Sequence, residues 1–117
     1  PRTYSVYIIA SRRNGTLYTG VTSDLLKRIW QHRNDVADGF TKKHGVHQLV
    51  WFEFYQDIHS AIAREKQIKG WNRESKIRLI EKENSGWNDL YLEFQASAKR
   101  FTTTWVPFPR RFAARRE

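Results

Sequence analysis

Apolar and polar positions fall in blocks whose period changes along the chain, and the blocks predict a sheet first and helices later. A first strand is expected over about Tyr4 to Ala10, closed by the charged turn Ser11 to Asn14. Asn14 and Gly15 both tolerate positive φ, which is a hairpin signal, and a second strand follows over about Thr16 to Val21. If Asn14 and Gly15 form a two-residue loop, odd positions of the first strand share a face with even positions of the second. Tyr7 and Tyr18 then lie on one face, offset along the ribbon. Gly20 removes a side chain from that face and leaves room for a ligand to approach the backbone.

Thr22, Ser23 and Asp24 are N-cap candidates for a helix of about Asp24 to Arg33, with apolar positions Leu25, Leu26, Ile29 and Trp30. Arg28 and His32 are four apart and so neighbours on one side of it. Asn34 to His47 reads as a loop, and Gln48 to Tyr55 as a third strand dense in aromatic and β-branched residues. Helices are expected over about Ile58 to Lys69 and Arg73 to Glu83, separated by Gly70. After the stop signal Asn84-Ser85-Gly86, the residues Trp87, Leu90, Tyr91 and Phe94 can pack back onto the body. The expected fold is α+β: a small antiparallel three-stranded sheet flanked by helices, in the order β-β-α-β-α-α. One domain is expected over residues 1–94, and a basic, aromatic-containing C-terminal tail over 95–117.

Composition changes this picture in one respect. The chain has 117 residues and a formal charge of +9, and its pI is near 10.2. A polyanion is therefore the expected partner, nucleic acid foremost, because neutralising phosphates releases counterions. Cysteine is absent, so disulfides and cysteine-based zinc sites are excluded. The sequence shows neither a bilayer-spanning apolar run nor a secretion signal, and a cytoplasmic setting is the expectation.

Candidate chemistry rests on few residues. Glu65 falls between the apolar positions of its helix, where an unpaired carboxylate is costly. It survives there beside a cation, a Lys, an Arg or a divalent metal, or as a boundary residue whose head reaches solvent or pairs with Lys69. Arg28 and His32, just after the glycine-relieved strand, suit phosphate binding, since guanidinium offers a fixed fork to two phosphate oxygens. Each also reads as an ordinary solvated helix residue, and Tyr7 and Tyr18 as packed strand tyrosines.

Together these residues occur in a known order. The chain resembles the GIY-YIG nuclease superfamily, in particular small standalone bacterial members similar to the nuclease domain of the excision-repair subunit UvrC. Ser5-Val6-Tyr7 stands for the first eponymous motif and Tyr18-Thr19-Gly20 for the second. The run from Tyr18 through Arg28 and His32 matches closely, as does Ala63-Arg64-Glu65-Lys66-Gln67-Ile68-Lys69-Gly70-Trp71-Asn72-Arg73 with Lys76 beyond it. Resemblance extends from about Tyr4 to Leu90. Ser5 stands where the family pattern has glycine, and Thr19 where it has isoleucine.

The resemblance implies a divalent-metal-dependent endonuclease acting on DNA rather than RNA, with a role in DNA repair among its associations. Tyr7 would be a base or water-positioning phenol with Tyr18 as companion. Arg28 would bind the scissile phosphate with His32 as helper, and Glu65 would ligate Mg2+ or Mn2+. Lys27, Arg28, Lys42, Lys43, Lys69, Arg73 and Lys76 would contact nucleic acid, and a protein partner could supply targeting. Two alternatives stay open: a catalytically weak or inactive nucleic-acid-binding module on the same fold, and a basic adaptor that docks proteins.

Overall fold

The computed structural model describes residues 3–34 and 39–94. The tail expected over 95–117 lies outside the described residues. The elements are β1 (Tyr4–Ala10), β2 (Leu17–Thr22), α1 (Leu25–Arg33), α2 (Gly39–His44), β3 (Gln48–Tyr55), α3 (Ile58–Lys69) and α4 (Arg73–Glu83). The strands form one antiparallel sheet in the order β2-β1-β3, and the fold is α+β as expected.

The hairpin register differs from that of a two-residue loop. Ala10 pairs with Leu17 and Tyr7 with Gly20, so β2 is displaced by two residues. The Ser11 amide donates to the Thr16 carbonyl (3.0 Å) and the Gly15 amide to the Arg12 carbonyl (2.9 Å). The loop is therefore Arg12 to Gly15, with Asn14 in the left-handed region at φ 59°. A two-residue shift preserves the pleat, so Tyr7 and Tyr18 still share a face.

Alternation along β1 divides the core. Tyr7 and Ile9 pack with Leu25 and Ile29 of α1, Phe52 and Phe54 of β3, and Leu90 and Phe94. Val6, Ile8 and Ala10 face the other way, onto Ala61 and Ile68 of α3, Ile80 of α4, and Trp87. The pairing of β1 with β3 shifts between Ile8 and Ile9, so Val50 and Trp51 both join the α3 side, as a bulge allows.

Each long helix starts where its capping residue dictates. Asp24, Asp57 and Asn72 accept hydrogen bonds from the amides of Lys27, Ser60 and Ser75, which opens α1, α3 and α4. The segment expected as a loop contains α2, a correction with a local cause. Lys42, Lys43 and His44 sit in its last turn, where cations favour the helix C-terminus. Gly45 follows at φ 61°, the left-handed stop that glycine adopts without strain.

Residues 84–94 cross from one sheet face to the other over β3. The buried Asn84 side chain donates to the Val50 carbonyl (3.0 Å), and Asp89 accepts from the Leu49 amide (3.3 Å). Asp89 also pairs with Arg33 at the end of α1, whose guanidinium lies 4.9 Å from the Tyr91 ring centroid. Trp87, Leu90, Tyr91 and Phe94 are buried as expected. No helix among the described residues is long and apolar enough to cross a membrane.

Candidate active site

Three rings meet on the α1 side of the sheet, one each from β1, β2 and α1. The Tyr7 and Tyr18 centroids are 6.4 Å apart, Tyr7 and His32 5.8 Å, and Tyr18 and His32 5.4 Å. The Tyr7 hydroxyl lies 3.0 Å from His32 Nε2. When the imidazole proton sits on Nδ1, the hydroxyl donates and Nε2 accepts; the other tautomer reverses the direction. Tyr7 is 1% and His32 0% exposed, so this polar pair is sealed, while Tyr18 is half-buried. A buried hydroxyl and imidazole satisfy each other here at no desolvation penalty for an unpaired group.

Gly20 serves the cluster differently from the expectation. The space it leaves is filled from within: a Cβ there would fall 2.5 Å from the Tyr7 hydroxyl oxygen and 2.6 Å from Cζ. The glycine opposite Tyr7 makes room for the phenol itself.

Arg28 precedes His32 by one turn of α1 and is half-buried, with Nη1 donating to Gln31 Oε1 at 3.1 Å. Gln31 was not singled out in the sequence, although its i+3 spacing from Arg28 was readable. Glu65 lies with Ala61 and Ile68 on the buried stripe of α3, the helix that packs on β1 and β2 from the other face. Its side chain is 12% exposed, and Oε2 is 2.6 Å from Lys69 Nζ, whose own side chain is 53% exposed. The structure thus groups Tyr7, Tyr18 and His32, sets Arg28 one turn from His32 on α1, and carries Glu65 on α3, which packs against β1 and β2.

Among the proposed nucleic-acid contacts, Lys27, Lys42, Lys43, Lys69 and Arg73 are exposed and Lys76 half-buried. Arg73 Nη2 donates to the carbonyls of Asn14 and Gly15, each at 2.6 Å. A second polar cluster, missed in the sequence, sits on the α3 side. Buried Glu53 accepts from the Tyr55 hydroxyl (2.7 Å) and Arg64 Nε (3.1 Å), and the Arg64 guanidinium lies 5.9 Å from Trp51 and 5.4 Å from Trp71. An acid inside the apolar run of β3 was its signal. Among the described residues no group of three or more His, Cys, Asp or Glu could hold a metal.

Residues 3–78 match the GIY-YIG catalytic domain, a span that includes Tyr7, Tyr18, Arg28, His32 and Glu65. The chain belongs to the GIY-YIG family. It is similar to a UPF0213 protein of Clostridium perfringens, 40% identical over 75 residues, covering 64% of this chain and 80% of the relative. A UPF0213 protein of Staphylococcus saprophyticus is 37% identical over 75 residues, covering 64% and 90%. The solution NMR structure of a UPF0213 protein from Bacillus halodurans aligns at 25% identity with a TM-score of 0.48, covering 74% of this chain and 92% of that one. GIY-YIG proteins are a nuclease family, which makes nucleic acid the partner class for this fold.

Proposed function

We propose that this GIY-YIG protein is a divalent-metal-dependent endonuclease that hydrolyses DNA phosphodiester bonds. The observation that carries the reading is the Tyr7–His32–Tyr18 cluster, with a 3.0 Å hydroxyl-to-imidazole contact at its floor and Arg28 one turn away. Phosphodiester hydrolysis gathers negative charge on the phosphoryl oxygens, and a guanidinium fixed beside them opposes it. Arg28 takes that role. Tyr18, the half-buried ring, orients the attacking water. Tyr7 and His32 pack behind it, bonded to each other, and fix that ring in place.

Glu65 fits a divalent metal by its donor chemistry. It offers a hard carboxylate oxygen, already attracts one cation in Lys69, and as a lone acid suits magnesium or manganese, which keep several waters. When bound, the metal supplies charge neutralisation at the phosphate. Glu65 would hold it in place of the Lys69 ammonium that it now pairs with.

The test is cleavage of supercoiled and linear duplex DNA with Mg2+ or Mn2+. Wild-type protein should cut, Arg28→Ala and Glu65→Ala should not, and Glu65→Ala should still bind because the basic surface supplies the affinity. Intact DNA with wild-type protein, or equal cutting by the variants, overturns the reading. Two observations favour a non-catalytic DNA- or RNA-binding module instead: Tyr7 and His32 are closed to solvent, and Glu65 is engaged by Lys69. That reading predicts salt-sensitive binding without metal-dependent cutting. A cytoplasmic location and targeting by a protein partner accord with either reading.

A further inference from the structure

The β1–β2 loop is held more firmly than an exposed turn requires. Ser11 amide bonds the Thr16 carbonyl and Gly15 amide the Arg12 carbonyl, while the Thr16 amide donates to Ser11 Oγ at 3.0 Å. Gly15 is buried within the turn, where a Cβ would fall 2.3 Å from Ser11 Oγ. Finally Arg73, at the start of α4, bridges the Asn14 and Gly15 carbonyls with one guanidinium nitrogen. Water could satisfy the exposed Asn14 carbonyl equally well. A cation drawn from another element instead fixes the loop's position on the domain.

What the fixed loop displays is a pair of exposed arginines, Arg12 and Arg13. Tyr18 lies two residues beyond Thr16 on β2, so at about 3.3 Å per residue the tip stands roughly 10 Å from the ring cluster. That is about three nucleotide steps along one duplex strand. Phosphate contacts at such a distance fix the register of a duplex without reading its sequence, and a preformed loop loses little freedom on binding.

We propose that this loop is a preformed cationic prong that grips the DNA backbone beside the cleavage site. Arg12 and Arg13 contact phosphates, and Arg73 is the positioning residue that holds the prong. The inference rests on the nucleic-acid reading above. The full chain is titrated onto labelled duplex DNA by fluorescence anisotropy at several salt concentrations, without divalent metal.

Removing two phosphate contacts with Arg12→Ala/Arg13→Ala should lower the slope of log K against log salt by about 1.8 and weaken binding roughly tenfold or more at 0.1 M salt. Removing the same net charge from α4 with Arg78→Ala/Lys82→Ala should leave the slope unchanged. Arg73→Met should weaken binding in the wild-type background and add little to the double variant, because its effect passes through the prong. It should also speed hydrogen exchange at the Gly15 and Thr16 amides. A wild-type slope in Arg12→Ala/Arg13→Ala, or a fully additive Arg73→Met, overturns the prong and leaves the function standing. A wild-type protein without salt-dependent DNA binding overturns both.

Discussion

Gly20→Ala adds one methyl group and, on chain statistics alone, should help. Alanine restricts the unfolded chain and typically stabilises by about 0.4–1 kcal/mol where the native backbone accepts it. Gly20 is not among the positive-φ positions, so the backbone raises no objection. The objection is spatial. The new Cβ would lie 2.5 Å, 2.6 Å and 3.0 Å from three atoms of Tyr7, against an ordinary carbon contact of about 3.5–4.0 Å. The phenol must retreat by about 1 Å, yet His32 holds its hydroxyl and packing closes it to solvent. Overpacking of a core costs about 1–3 kcal/mol, and a buried polar pair pulled apart costs about 1–3 kcal/mol more.

The net expectation is a loss of roughly 2–4 kcal/mol, or a drop in Tm of roughly 10–25 °C for a domain of this size. Urea unfolding supplies the free energy, and the His32 ring resonances report whether the contact has shifted. Combined with Tyr7→Ala, which removes the ring, the alanine should cost far less than it does alone. A single variant as stable as wild type, with unchanged His32 resonances, would refute the close packing of Tyr7 on Gly20.

The two phenols should separate by assay: Tyr7→Phe removes the buried hydroxyl bonded to His32 Nε2 and should cost about 1–3 kcal/mol in urea unfolding. Tyr18→Phe should leave stability nearly unchanged and lower the cleavage rate, measured on plasmid DNA. Lys69→Met removes the ammonium that competes for Glu65, so Mn2+ should bind roughly fivefold more tightly, equivalent to about 1 kcal/mol. The readout is broadening of α3 amide signals, which Glu65→Gln should abolish. Hydrogen bonds from the Ser60 amide and hydroxyl hold Asp57 below its ordinary carboxylate range. Its ionised form is therefore favoured by folding, and its contribution is complete at neutral pH and fades as pH falls through the lowered value. Asp57→Asn should flatten that part of the acid unfolding curve.

Helix boundaries were legible where their causes are local: Asp24 was among the cap candidates of α1, and Gly70 and Asn84-Ser85-Gly86 marked the ends of α3 and α4. The common face of Tyr7 and Tyr18 was legible too, since it depends only on parity. Register was not, because the loop length is decided by Ser11 and by Arg73, which lies 58 residues beyond Gly15. The role of Gly20 follows from register, so it was misread for the same reason. The lysine partner of Glu65 was written in the i+4 spacing. The face of the sheet that α3 covers, opposite α1, was not written in that spacing. The basic run Lys42-Lys43-His44 before Gly45 contained the end of α2, but six residues are too few for periodicity to declare a helix.

The crossing made by residues 84–94 has a practical consequence. The family match stops at residue 78, inside α4, well short of the point where the folding unit is finished. A chain trimmed at that boundary would lack Trp87 from one apolar layer and Leu90, Tyr91 and Phe94 from the other. It would also leave the Leu49 amide and the Val50 carbonyl bare along the outer strand, a template on which a second molecule could add its own strand and precipitate.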